Sequence, residues 1–370
     1  MKIIRYILLI VSCFLCPVGG LTIKAAVKVG ISEAGTVKIA VRGKYRWGAK
    51  FLTEGKIYTF SSQGKNILSS DGGKSASPLY IKNESGEGSF RFEGRNYSGN
   101  IILLSNKPGK ITVINEVPLE DYLSGVIESE ISPAWPEECI KAQAVVARTY
   151  ALKNSNKHRS EGFEICANTH CQVYKGISKY KSVQQAVAET KGEVLVFRGE
   201  LINSYFHSNC GGSTENVAEV WGKKNDPPVS YLRRVRCSYG KEDPWSWQIN
   251  SDWLVRAFNS SGYRIERIKK ISLQGITGSG RVRDLVIYTE RGKIILPAVQ
   301  FRMLVGPNRL RSTMFKLRKK RDDFIFSGQG WGHGVGLCQW GARYLAARGY
   351  KYTKILRLYY PGTKIKRLED

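Results

Sequence analysis

Acidic residues are scarce in this 370-residue chain: 31 Asp and Glu stand against 58 Lys and Arg, a net charge of +27. A surface of that sign attracts polyanions. The patterns that would make the polyanion a nucleic acid are missing, since no zinc-finger, RNA-recognition or helix-turn-helix signature occurs. Nucleic acid is therefore not an expected partner. An anionic wall polymer or an acidic membrane surface fits the charge, and a diffusely solvated basic face is the structural alternative. Long apolar runs are also missing. Beyond the first 26 residues no stretch is apolar for 18 residues, which excludes a further membrane-spanning helix. Between residues 27 and 115 there is neither His nor Cys, and no chemistry is expected from that region.

Residues 1–26 read as an export signal or N-terminal anchor. Lys2 and Arg5 precede an apolar run from Tyr6 to Leu15 that is short for a span. The run Ile10-Val11-Ser12-Cys13 offers lipid attachment at Cys13 as an alternative. The expected location is the cell envelope, on the outer face of the membrane or in the wall, with membrane contact only through this segment. Residues 27–116 are built of short alternating runs, VKVGI, TVKIAV, KIYTF, PLYIK, SFRFEG, NIILLS and KITVIN, which predict strands. Residues 117–365 mix helical and alternating patterns. The expected class is α+β: a β-rich N-terminal region, then a mixed helical and β core with a central groove.

Residues 117–153 predict two helices around a Pro-punctuated corner. Leu119, Tyr122, Leu123, Val126, Ile127 and Ile131 share one helical face, and Glu130 lies on that face while Glu128 points elsewhere. A carboxyl on an apolar face is costly unless it is paired, protonated or used. A Glu that holds its proton near neutrality can act as a general acid. The structural alternative is a Glu at a helix end that reaches solvent or pairs with Arg148. In the second helix Gln143 and Arg148 are polar exceptions among small residues; they either make ordinary hydrogen bonds, or hold Glu130 or a ligand.

His158, Cys166, His170 and Cys171 put two imidazoles and two thiols close in sequence, a set suited to a tetrahedral zinc. A Cys166–Cys171 disulfide is the alternative that an oxidising compartment permits. Downstream, Tyr205, His207 and Asn209 alternate onto one face of an extended chain, with Ser208 and Thr214 beside them and Gly211-Gly212 allowing close backbone approach. No nucleophile-elbow pattern surrounds His207-Ser208. A Cys210 thiol activated by His207, or Cys210 paired with Cys237, or left free, are further readings. The stretch GQGWGHGVGLCQWGA at 328–342 lacks the Lys-Ser/Thr ending of a phosphate loop. Its glycines suit a tightly bent backbone that places His333 and Gln339 beside a groove. Trp331 and Trp340 offer flat faces to sugars, with core packing as the alternative. Residues 303–321 are strongly basic and read as a loop or edge surface.

The segment at 117–152, with HCQVYKG at 170–176, SYFHSNCGGSTENVAEVWG at 204–222 and GQGWGHGVGLCQWGARYLAARG at 328–349, resembles the SpoIID/LytB family of stage II sporulation protein D and amidase enhancers. Four motifs in order carry the likeness across roughly residues 27–365. The resemblance implies a lytic transglycosylase that acts on peptidoglycan glycan strands. Its catalytic acid falls on Glu130, and glycan-positioning roles fall to Gln143, Arg148, Tyr205, His207, Ser208, Thr214, His333 and Gln339. It also implies a structural zinc at His158, Cys166, His170 and Cys171, with no cofactor needed for the chemistry. The amidase-enhancer branch implies the rival reading, a non-catalytic wall-binding protein that stimulates an N-acetylmuramoyl-L-alanine amidase partner. Cys338 stands where Ser is common in the family and Cys139 where Ala is common.

Overall fold

The computed structural model describes residues 25–222, 229–237 and 243–368. The signal expected over residues 1–26, Cys13 included, lies outside the described residues except for its last two. Among the described residues no helix is long and apolar enough to cross a membrane. The protein is α+β. All seven strands expected before residue 116 form. In Thr36–Arg42 the alternation is plain, with Val37, Ile39 and Val41 buried and Thr36 and Lys38 exposed, as a period of two requires of a strand with one wet face.

These strands build two sheets. One holds seven strands in the order Ile165–Cys166, Ala26–Ala34, Lys110–Pro118, Asn100–Lys107, Leu79–Asn83, Tyr45–Trp47, Lys50–Leu52. The other holds six, Arg95–Ser98, Ser89–Phe92, Thr36–Arg42, Ile57–Gln63, Asn66–Ser69, Lys74–Ala76. In the first sheet Ile165–Cys166 pairs parallel with Ala26–Ala34, so a residue of the predicted metal set is fastened to the sheet edge. Lys110–Pro118 runs straight into the first helix.

That helix, α1 (Leu119–Glu130), and the next, α2 (Glu137–Lys153), begin after Pro118 and Pro136. Each Pro caps its helix from outside, where a missing N–H costs nothing. Glu130 is the last helical residue; Ile131 is already extended, and Pro133 disfavours a helical Ser132. A helix as short as α1 is marginal alone. It is held by packing: Leu123, Val126 and Ile127 are fully buried, each contributing roughly 1.5–3 kcal/mol of transfer free energy. Gly125 lets the chain at 174–176 lie directly on α1. A Cβ there would sit 2.0 Å from the Gly176 carbonyl oxygen and 2.7 Å from the Tyr174 ring.

One apolar cluster runs from Val27 to Tyr360 and includes both sheets, α1 and α2. No separate core divides residues 27–116 from the helices α1 and α2. A second core does lie inside the later region, from Trp245 to Phe326. It is made by the sheet Pro244–Asn250, Asp323–Gln329, Phe315–Lys320, the sheet Ile268–Ile276, Val282–Thr289, Gly292–Pro297, and the helices Ser251–Ser260 and Ala298–Val305. The basic run ends in Phe315–Lys320, an edge strand.

Gly125→Ala tests the seat of α1. Overpacking against backbone should cost about 1–3 kcal/mol, read as a lower urea midpoint with an unchanged m value; an unchanged midpoint would contradict the close approach.

Candidate active site

Glu130 ends α1 half-buried. Its Oε1 accepts the Val173 N–H at 3.0 Å. Burial raises its pKa above the ordinary 4.5, against the opposing pull of that N–H, the neighbouring Gln339 amide and the Lys175 charge. The Gln339 amide stops short of an ordinary hydrogen bond, since its buried Nε2 has no partner. Glu128, by contrast, faces outward and accepts the Lys179 N–H.

Gln339 opens the helix Gln339–Ala347, which packs on α2. Just before it, Leu337–Cys338 pairs parallel with Phe206–His207. Two glycines make this approach: a Cβ on Gly332 would stand 2.7 Å from His207 Cβ, and one on Gly336 2.0 Å from the Tyr205 carbonyl oxygen. Both have positive φ, 113° and 72°, which a side chain would strain. The stretch LINSYF, expected as one strand, forms only Glu200–Leu201 and Phe206–His207. Its last part finds its partner in the glycine-rich stretch, which local sequence does not show.

The Val335 peptide sets both imidazole tautomers. Its carbonyl accepts from His207 Nδ1 at 3.1 Å, and its N–H donates to His333 Nδ1 at 3.0 Å. His207 therefore keeps its proton on Nδ1 and leaves Nε2 a bare, buried acceptor, while His333 carries its proton on Nε2. Burial holds both rings neutral, His207 well below its usual value and His333 at about 3, aided by nearby Arg charges. The rings lie 5.5 Å apart. Tyr205 and Trp221 stack on one another at 4.9 Å, and both reach the His333 ring. Trp331 and Trp340 are 36% and 42% exposed, which removes the core-packing alternative. Trp340 meets Trp135 edge-on at 5.3 Å, and the Arg343 guanidinium lies over both indoles.

The structure thus joins Glu130 with Gln339, and His207 with His333 and Tyr205, through one strand pair. Ser208 belongs to the same seam, its carbonyl accepting the Trp340 N–H. Gln143 is buried in α2 with both amide atoms unpartnered. Two expected ligand contacts are corrected. Arg148 is wholly buried and occupied by the Glu120 carboxylate, at 3.0 and 2.6 Å, and by the Glu193 and Val187 carbonyls. Thr214 is buried and exchanges hydrogen bonds with the Val235 backbone. Both hold the fold. Val173, Lys175, Trp135, Trp221 and Arg343 are new to the site. Val173 acts through its main chain, which side-chain chemistry cannot reveal; the aromatic–Arg cluster forms from distant segments.

His158, Cys166, His170 and Cys171 do converge. Their ligand atoms all lie within 4.8 Å of one another. His158 Nε2 is 3.2 Å from His170 Nδ1, Cys171 Sγ is 3.4 Å from His158 Nε2, and Cys166 Sγ is 3.6 Å from His170 Nδ1. Zinc bonds of ~2.0 Å to nitrogen and ~2.3 Å to sulfur give tetrahedral edges of about 3.3–3.8 Å, so this donor set fits. Both Cys are free, which corrects the disulfide alternative here and at Cys210–Cys237. Glu161 holds the other nitrogen of His158, the kind of outer partner that orients a ligand imidazole.

Residues 107–197 match the stage II sporulation protein family, and residues 243–336, nearly the span of the second core, match a domain of unknown function. An uncharacterized protein of Brachyspira hyodysenteriae is 35% identical over 75% of this chain and 74% of its own length. The amidase enhancer of Bacillus subtilis is 30% identical over 66% of this chain, which spans only 40% of that relative. Stage II sporulation protein D of the same organism is 29% identical over 68% of this chain and 75% of its own length.

A raised carboxyl pKa has a stability signature. The fold favours protonated Glu130, so stability is full below the unfolded value and is lost as pH rises through the folded one. Glu130→Gln keeps the acceptor for Val173 without the charge. Its urea midpoint should match wild type near pH 4 and exceed it at pH 7; a variant weaker at pH 7 would contradict the desolvated carboxyl.

Proposed function

The chain belongs to the SpoIID/LytB family, and from that premise we propose that it is an exported lytic transglycosylase. The substrate is the glycan strand of peptidoglycan, cleaved between N-acetylmuramic acid and N-acetylglucosamine in sporulation-type wall remodelling. The observation that carries this reading is the desolvated Glu130 carboxyl, fixed by one main-chain N–H beside a seam of polar and aromatic groups.

With Oε1 held by Val173, Oε2 is the oxygen left to carry the proton. Glu130 donates that proton to the glycosidic oxygen as the bond to muramic C1 breaks. The carboxylate so formed takes the proton of the muramic C6 hydroxyl, whose oxygen closes on C1 as a 1,6-anhydro ring. The acid is regenerated and no water is consumed. One carboxyl serves both steps because the nucleophile belongs to the substrate, unlike a hydrolytic glycosidase with its two carboxylates. The neutral His207 and His333, the free amide of Gln339 and the exposed indoles supply acceptor, donor and stacking surface for the sugars. We further propose that His158, Cys166, His170 and Cys171 hold a structural zinc. Its role is to fix the chain that reaches Val173, two residues beyond Cys171.

The rival reading, a wall-binding stimulator of an amidase, rests on the similarity to the amidase enhancer and on the exposed basic edge strand. Digestion of peptide-stripped glycan strands with mass spectrometry separates the two. Wild type should release anhydro-muramic ends, and Glu130→Gln at least ~100-fold fewer. The rate should fall as pH climbs through the raised Glu130 pKa. No product from either protein, together with faster amidase turnover on mixing, would decide for the rival. Cys171→Ser should lose its zinc, melt earlier and cleave more slowly; zinc retained in full would overturn the ligand assignment.

A further inference from the structure

Three other thiols meet away from the first metal set. Cys210 follows Phe206–His207, Cys237 follows the short turn Ser230–Leu232, and Cys338 caps the helix Gln339–Ala347. All three are fully buried and free, and their sulfurs lie within 4.8 Å of one another. Main-chain donors surround them. The Cys210 and Gly341 N–H groups donate to Cys338 Sγ at 3.3 and 3.4 Å, and the Gly212 N–H donates to Cys210 Sγ at 3.3 Å. The Tyr359 hydroxyl is 3.1 Å from Cys237 Sγ. The buried Arg281 guanidinium donates to the Cys210 carbonyl at 2.7 Å, bringing a positive charge to the same segment.

Main-chain N–H donors, a helix N-terminus and a nearby guanidinium all favour thiolate over thiol. A disulfide would use two sulfurs and strand the third. Three convergent sulfurs are the donor set of a soft ion. Corners no more than 4.8 Å apart can be reached at ~2.3 Å by one central ion after small shifts. We propose that Cys210, Cys237 and Cys338 form a second metal site, holding a thiophilic d10 ion, zinc(II) or copper(I), through three thiolates with the Tyr359 hydroxyl alongside. On binding, each thiol releases its proton to solvent and gives a sulfur lone pair to the ion; no electron is transferred. The ion ties the first residue before Gln339 to the turn after His207, so it positions the two halves of the seam without touching substrate.

The test counts metal per chain, by native mass spectrometry and elemental analysis, in full-length protein from zinc-fed and copper-fed cultures. Wild type should carry two ions. Cys338→Ser and Cys210→Ser should each lose one, and Cys171→Ser should lose the other, so failure of one site is distinct from failure of the other and from absence of glycan cleavage. The two feeding arms identify the ion. If the Ser variants do not fold, X-ray absorption on Cys171→Ser protein takes their place, with a three-sulfur shell at ~2.3 Å expected. The proposal is overturned by a wild-type chain whose metal content Cys338→Ser leaves unchanged. It is equally overturned by a non-reduced intact mass short of two hydrogens through a disulfide among these cysteines, or by an absorption spectrum without that shell.

Discussion

A single carboxyl, taken partly out of water at the last turn of a helix and given one main-chain donor, sets the demands that the surrounding structure meets. Moving it by a turn would return it to solvent and to an ordinary pKa. Its donor, Val173, must therefore be held as firmly as the helix. The neighbours of Val173 do this: Gln172 accepts from the Tyr122 hydroxyl at 3.0 Å, and Tyr174 donates to Asn115 on the central strand at 2.9 Å. Both tyrosines are buried, so these bonds are expensive to leave unmade. The predicted metal set closes the chain just before them. Helix, sheet and cysteine–histidine knot converge on one N–H.

The other half of the site depends on backbone proximity. The glycine-rich stretch lies so close to the segment at 205–211 that side chains at Gly332 or Gly336 would collide with it. What remains between the chains is one peptide, that of Val335, which bonds both imidazoles and fixes their protons on opposite nitrogens. Two neutral rings with assigned donor and acceptor atoms result, in a place where burial prevents either from charging. The scaffold bonds of Arg148 serve the same end at a distance, joining α1 to α2 and to the strand Glu193–Phe197.

Much of this was legible in the chain itself. The alternation in Thr36–Arg42 and the three-and-four spacing in α1 report a sheet face and a helix face, because each repeats over many residues. Glu130 stood out because a charge interrupts that spacing. The two His and two Cys at 158–171 were readable as a ligand set from donor type alone. Arg148 was misread for an equally physical reason: a buried Arg in a small-residue helix looks the same in sequence whether its partner is a ligand or Glu120. The second core was not separated either, since strands of both cores carry the same local alternation.

By itself the sequence determined which segments are strand or helix, which face of α1 is apolar and where the chemically capable side chains stand. Those properties come from periodicity and residue type, which are local. Only the tertiary structure decided that Val173 offers its N–H to Glu130, that Val335 assigns the histidine protons, and that Cys210, Cys237 and Cys338 share one cavity. These depend on contacts between residues far apart in the chain and on main-chain atoms that every residue carries alike, so no side-chain pattern encodes them.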